Sequence, residues 1–152
     1  MNLNEFKEFV ALNKKWFDGV HPVTENELSN YEEMLGFMIP DSLKWLLSTF
    51  GYSDACGIDS IDESVQQTLG CRNSMNLPNN VLILNDWGDA GIVFCIADNA
   101  QDGEYDIIWS DTSELYKLAE GENLSQEVDR FKNYPAWTVN RLEGAKEEAK
   151  YL

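Results

Sequence analysis

The chain has 152 residues, 43% of them hydrophobic and 12% aromatic, which is enough for one folded domain spanning residues 1–152. Its formal net charge of -16 argues against nucleic acid and anionic membranes as direct partners, because both bind through Lys and Arg. No apolar run approaches the roughly 20 residues that cross a bilayer, and the N-terminus lacks the pattern of a secretory signal. Three widely spaced cysteines, Cys56, Cys71 and Cys95, are typical of reduced thiols, so we expect a cytoplasmic protein.

Residues 2 to 17 are predicted to form the first helix. Its apolar positions at helical spacing are Leu3, Phe6, Val10 and Phe17. Asn2 and Glu5 are spaced as a capping box, in which each side chain accepts from the other residue's backbone N–H. Glycine and proline in residues 18 to 22 predict the break that follows.

The next two helices have the clearest boundaries in the chain. Thr24 and Glu27 form a second capping-box pattern, and Gly36 lies where a left-handed C-cap is expected. Pro40 then opens a helix that Gly51 ends. Two helices joined by a short apolar elbow are therefore predicted.

The middle of the chain changes from helical to strand patterns. A short helix is predicted over residues 60 to 68. Strands are predicted at 81 to 84, 92 to 97 and 105 to 109, with turns between them. Parallel strands would need connections of a dozen residues or more, so these strands should form an antiparallel meander.

The C-terminal segment is predicted to be helical again. Leu124, Val128 and Phe131 lie on one helical stripe, and Pro135 opens a last helix rich in Glu, Lys and Ala. The predicted fold class is therefore α+β, with an antiparallel meander sheet packed against N-terminal and C-terminal helices on one side.

Several motifs together carry a family resemblance. They are, in chain order, the helix from Thr24 to Leu35, Gly36, the run Ile39-Pro40-Asp41-Ser42-Leu43-Lys44-Trp45-Leu46-Leu47, Gly51, Trp87-Gly88-Asp89 and Asp102-Gly103-Glu104-Tyr105. In this order and spacing, over roughly residues 22 to 112, the chain resembles the SMI1/KNR4 family of the SUKH superfamily.

The resemblance implies a function as well as a fold. Bacterial members of the family are typically cytoplasmic immunity proteins, made beside a toxin whose C-terminal domain is often a nuclease. The implied function is stoichiometric occlusion of a cognate polymorphic toxin, with a basic toxin domain as the partner and the protein itself a monomer or weak dimer. The alternative is a regulatory or scaffold interaction module, as in the fungal relatives that act in cell-wall synthesis and its signalling.

The charge distribution agrees with a basic partner. Between Asp54 and Asp111 the chain has eleven carboxylates and one basic residue, Arg72. Concentrated like charge opposes folding through self-repulsion, and a cationic partner that uses the field for steering is one explanation. The other is that the acids only keep the protein soluble.

The sequence gives little support for catalysis or a cofactor. His21 is the one histidine, and the cysteines have no paired spacing for zinc. The segment that starts at Asp98 resembles an EF-hand loop, but Ala100 and Trp109 occupy two positions that need oxygen ligands. A carboxylate pair such as Asp86 with another acid is expected by chance in so acidic a segment. We therefore expect no enzyme activity, no catalytic residues, no metal and no cofactor.

The candidate partner-binding residues lie in the turns and at the rim of the predicted sheet. They are Asp86, Trp87, Asp89, Asp98, Asp102, Glu104, Asp106 and Trp109. The carboxylates would pair with Lys and Arg of the partner, while the tryptophans would supply desolvated anchors. Core packing is the alternative for Trp87 and Trp109. Strand alternation separates Ile92, Phe94 and Ile96 from Val93, Cys95 and Ala97, and one of these faces is expected to be open.

Overall fold

The computed structural model describes residues 1–98 and 100–151 and contains helices on both sides of one antiparallel sheet. The helices are α1 (Leu3–Leu12), α2 (Lys14–Phe17), α3 (Glu25–Leu35), α4 (Asp41–Phe50), α5 (Ile61–Met75), α6 (Ser113–Ala119) and α7 (Tyr134–Ala149). The strands are β1 (Val81–Asp86), β2 (Ile92–Ile96), β3 (Ile107–Ser110) and β4 (Asp129–Phe131), in that order across the sheet. The predicted α+β class and antiparallel meander are confirmed. Across the described ranges, no helix is both long and apolar enough to cross a membrane.

The first predicted helix is two helices, α1 and α2, separated at Asn13. The capping box is present, because Asn2 Oδ1 accepts from Glu5 N and Glu5 Oε1 accepts from Asn2 N, both at 2.9 Å. At the other end, Asn13 Nδ2 donates to the carbonyl of Phe9 at 2.9 Å. The backbone of Asn13 has φ -119° and ψ 30°, outside the helical range, so the chain turns at Asn13 and starts again.

The boundaries of α3 and α4 agree with their local signals. The Thr24 hydroxyl accepts from Glu27 N, and Gly36 ends α3 with φ 87°. α4 begins after Pro40 and ends before Gly51. These elements follow from short-range bonds, which explains why the sequence alone locates them.

Helix α5 is longer than the predicted 60 to 68, because contacts outside the helix stabilise its second half. Arg72 Nη2 donates to the carbonyls of Leu35 and Asn79, both at 2.8 Å. Along β1, the Ser64 hydroxyl donates to Leu84 O at 2.7 Å and the Thr68 hydroxyl accepts from Ile83 N at 2.9 Å. α5 thus supplies partners to an edge strand, which would otherwise expose unpaired backbone groups.

The predicted helical stripe at Leu124, Val128 and Phe131 is wrong. Residues Asp129–Phe131 form β4, which pairs antiparallel with β3, and Trp109 faces Asp129 in the register. Spacing of three and four residues between apolar side chains is ambiguous in so short a segment. Here the segment forms a strand because it supplies hydrogen-bond partners to the otherwise unpaired edge of β3. Helix α6 was not predicted.

Hydrophobic side chains cover both faces of the sheet. Val93 and Cys95 lie in the larger core with α1, α3, α4 and α7, whereas Ile92 and Phe94 lie in a second core. The second core is completed by side chains from α5, α6 and the segment after it, namely Cys71, Met75, Leu115, Leu118, Leu124 and Val128. The expectation of one open face is therefore wrong. The turn predicted at 98 to 103 includes Asn99, which lies outside the described residues.

The three cysteines are expected to differ sharply in reactivity. Cys56 and Cys95 are buried, and burial raises the pKa of Cys95 to about 12. Cys71 is partly accessible, although burial and the charge of Asp86 raise its pKa as well. Because the thiolate is the reactive form, a disulfide reagent at about pH 8 should label Cys71 slowly and leave the other two unlabelled in the native protein. Mass spectrometry of the labelled wild type and of Cys71→Ser would check this, and rapid native labelling of Cys95 would contradict the buried position.

Candidate partner-binding site

The sheet register divides the predicted site residues between two opposite ends. One end, here called the tryptophan end, contains Asp86, Trp87, Asp89 and Trp109. The other, here called the hairpin end, contains Asp98, Asp102, Glu104 and Asp106. The six residues of β1 separate the ends by roughly 17–20 Å. The predicted single rim is therefore two surfaces.

The β1–β2 turn at the tryptophan end is fixed by its own polar groups. Asp86 Oδ1 accepts from Gly88 N at 2.7 Å, and its other oxygen accepts from Gln67 Nε2 at 3.1 Å. The backbone N–H of Trp87 donates to Gly91 O at 2.9 Å. Asp86 therefore organises the turn, while Asp89 is exposed within it.

Trp87 is held between other large side chains and is still 36% exposed. Its ring packs edge-on against Trp109, with the centroids 5.4 Å apart. The guanidinium carbon of Arg141 lies 5.2 Å from the Trp87 centroid and 5.0 Å from that of Trp137, so Arg141 is stacked between two tryptophans. Gly91 makes room for Trp109, because a Cβ there would lie 2.6 Å from the indole ring.

This arrangement holds the Trp87 side chain in one position while part of it stays exposed. A side chain already held in one position loses little entropy on binding, and such aromatic groups dominate many interfaces. Trp109 is half-buried, packs against the larger core and contacts Trp87, so the core interpretation holds in part and its role in binding stays a prediction. Sequence analysis missed Trp137 and Arg141. The two residues are four positions apart and therefore lie on one side of a helix, but only the fold shows that this side faces Trp87.

The tryptophan end has two concavities, one lined by Trp87 and the other by Trp109. The first is a cavity of about 380 Å³ whose lining includes Asp54, Asp59 and Arg141. The second is a cleft of about 310 Å³, here called the acidic cleft. It has five carboxylates in its lining and no basic residue: Asp89, Asp111, Glu114, Glu127 and Asp129.

Hydrogen bonds keep part of the acidic cleft ionised. Bonds from the Ser113 hydroxyl and backbone lower the pKa of Asp111. Glu114 is buried, and hydrogen bonding from Ser125 lowers its pKa as well, with Lys117 Nζ 3.5 Å away. These two side chains also shape the loop around α6. Asp89, Glu127 and Asp129 are exposed and remain available to an incoming cation.

Glu104 is a structural residue, which corrects its assignment to the binding surface. It is 8% exposed. Its carboxylate accepts from the backbone N–H and the hydroxyl of Ser42, both at 2.8 Å, and from Tyr134 N at 3.4 Å. It therefore caps the N-terminal ends of both α4 and α7, where the helix dipoles favour negative charge.

The three aspartates of the hairpin end are exposed, and two of them make local contacts. Asp98 accepts from Asn80 Nδ2 at 2.8 Å, and Asp106 lies 3.7 Å from Arg130 Nη1. Asp102 has φ 52°, the left-handed conformation of a tight turn. None of these contacts joins them to the tryptophan end, so any partner of that end would have to extend across the molecule to reach them.

Within the described residues, no group of three or more His, Cys, Asp or Glu side chains is placed to hold a metal ion. His21 is exposed with φ 55°, in the turn before Pro22. That geometry agrees with its interpretation as a turn residue.

Comparison with known proteins identifies one family. The SUKH_5 family model, described as SMI1-KNR4 cell-wall, matches residues 3–129. The match includes α1 to α6, the first three strands and Asp129 of the acidic cleft. No curated protein matches the chain.

Proposed function

This chain belongs to the SMI1/KNR4 family, and on that premise we propose that it is an immunity protein for a polymorphic toxin. It binds a basic toxin domain, of the nuclease class, in a one-to-one complex and covers the surface that the toxin needs for its substrate. The observation that supports the proposal most is the tryptophan end, where an anchored, exposed Trp87 packs on Trp109, which lines the acidic cleft.

The two parts of this surface have different roles in binding. Trp87 supplies apolar area that is desolvated at the centre of the contact, as interface tryptophans commonly do. Asp89, Glu127 and Asp129 attract Lys and Arg of the toxin, and such a field raises association rates by roughly 10- to 1,000-fold at low salt. Carboxylates in the positions that nucleic-acid phosphates would take exclude the substrate. The protein needs no catalytic group for this role.

A regulatory or scaffold module is the second candidate, favoured by the cell-wall wording of the matching family description. The two differ in genetic setting. An adjacent gene for a large secreted protein with a basic C-terminal domain favours immunity. Co-expression of that domain with this protein should then restore growth, whereas failure to restore it would contradict the immunity proposal.

The location of the binding surface is tested by matched charge reversals. The triple variant Asp89→Lys, Glu127→Lys and Asp129→Lys should slow association with the adjacent toxin domain by on the order of 10- to 100-fold and flatten its salt dependence. Stopped-flow fluorescence at two ionic strengths measures both effects.

The control reverses the same number of charges at the hairpin end, through Asp98→Lys, Asp102→Lys and Asp106→Lys. It should change the association rate by less than about threefold, because at that distance the reversed charges act only through the net charge of the protein. Thermal melts verify that both triple variants are folded. Equal slowing by the two variants would mean that only net charge matters and would contradict a site at the tryptophan end.

A further inference from the structure

A second surface of the molecule has the opposite charge. Four of the chain's eleven basic residues, Lys14, Lys15, Lys146 and Lys150, line one groove of about 690 Å³. Its lining also includes Leu12 and Trp16 but no carboxylate, in a chain with 27 acidic residues. We call this surface the lysine groove. Random placement would mix the two signs, so the segregation itself indicates a binding surface for negative charge.

The break at Asn13 creates the groove. Because α1 stops there, Leu12 projects outward and is 86% exposed. The Lys146 ammonium donates to Asn13 Oδ1, which joins the last turns of α7 to the break. The Lys15 ammonium lies 5.8 Å from the Trp16 ring. The groove therefore has an apolar floor and cationic walls.

Most of these lysines are not neutralised by a carboxylate. Lys150 pairs with Glu147 at 3.1 Å, but Lys14, Lys15 and Lys146 make no ion pair with any described residue. Exposed ammonium groups without a carboxylate partner keep their full field, and the neighbouring Leu12 would gain from being covered.

We propose that the lysine groove binds a short acidic segment of a partner protein, with one apolar side chain of that segment against Leu12. A short segment fits better than an extended polyanion. Nucleic acid or an anionic membrane extends beyond the groove and is repelled by the rest of the molecule, whose net charge is -16. A segment confined to the groove responds mainly to charges within about 8–10 Å, and the charged residues of the lining itself are all lysines, of which one pairs with Glu147.

The lysine groove and the tryptophan end can be occupied separately. Arg141, which stacks on Trp87, precedes Lys146 by five residues on α7. This spacing corresponds to about 8 Å along the helix and about 140° around it, so the two residues face different directions. The inference does not rest on the immunity function, because it concerns another surface and another sign of charge.

The test uses a dye-labelled peptide of glutamates around a central leucine pair, followed by fluorescence anisotropy with the full chain. We expect saturable binding with a dissociation constant of about 10–100 µM at low salt. The double variant Lys14→Glu and Lys146→Glu should weaken it by about tenfold or more, and Leu12→Ala by about fivefold. The matched control, Lys7→Glu with Lys132→Glu, has the same net charge and should change binding by less than about twofold.

Other results would overturn the proposal. They are absence of peptide binding, equal binding of a peptide with glutamine in place of glutamate, or equal loss in the control variant. Binding to phosphatidylserine vesicles but not to the peptide would identify a membrane surface instead. Concentration-dependent dimers in sedimentation that Lys14→Glu with Lys146→Glu abolishes, without peptide binding, would identify a second copy of the chain as the occupant.

Discussion

Replacement of Glu104 by alanine is expected to lower the free energy of unfolding by about 2–4 kcal/mol, since it leaves several buried donors without an acceptor. The carboxylate accepts from two groups of Ser42 and one of Tyr134, at the first turns of α4 and α7. Urea denaturation of the wild type and the variant measures the difference. Glu5→Ala is the control, because Glu5 also caps a helix but does so in solvent, and its loss should cost about 0.5–1 kcal/mol.

The cost of Glu104→Ala should also depend on pH. Burial raises the pKa of Glu104 above its ordinary value, although three donors oppose the shift. The folded protein therefore binds this proton more tightly than the unfolded chain does. The stability that Glu104 contributes is complete below the unfolded pKa and decreases as pH rises through the raised folded pKa. The difference between wild type and variant should be larger at about pH 5 than at about pH 7.5, and a difference that grows with pH would contradict this assignment.

Substitution of Gly57 by alanine is expected to be comparably severe, at about 2–4 kcal/mol. Gly57 has φ 81°, and a Cβ there would lie 2.3 Å from Trp137 Cη2 and 2.6 Å from Arg141 Nη1. Trp137 is 2% exposed and cannot move away without disturbing the larger core. The stack that supports Trp87 should be lost as well, so binding of the proposed toxin partner should weaken together with stability.

Gly36→Ala isolates the steric part of this effect. Gly36 has nearly the same backbone conformation as Gly57, φ 87° against 81°, but a Cβ added at Gly36 would have nothing within 4 Å. Its substitution should therefore cost only the backbone strain, about 1 kcal/mol. Guanidinium denaturation gives both values, and near-ultraviolet circular dichroism reports the tryptophan environment. Equal costs at the two glycines would show that the close approach to Trp137 does not constrain the fold.

The sequence predicted best where a structure depends on residues close together in the chain. The capping boxes at Asn2 and Thr24 and the left-handed glycine at Gly36 follow from bonds within a few positions, and all three are present. The meander was predictable because short connections permit little else. The break at Asn13 was missed, since an asparagine that bonds backward is not distinguishable by pattern from one inside a helix.

The site was predictable only in part, because its composition depends on contacts distant in sequence. Trp87 and Asp89 belong to a single turn and were identified from it. Whether Glu104 faces solvent depends on its contact with Ser42, which lies 62 positions earlier. No local sequence pattern predicts a contact between residues so far apart in the chain. The division of the acids between two ends likewise follows from strand register, which single-strand alternation does not fix.

The covering of both sheet faces has an evolutionary consequence. Asp89, Glu127 and Asp129 lie in connections or at a strand terminus, while the two hydrophobic cores are formed by other positions. Substitutions at Asp89, Glu127 and Asp129 can therefore accumulate without repacking the protein. If this surface binds the proposed partner, its specificity can change in evolution while the folded core stays the same.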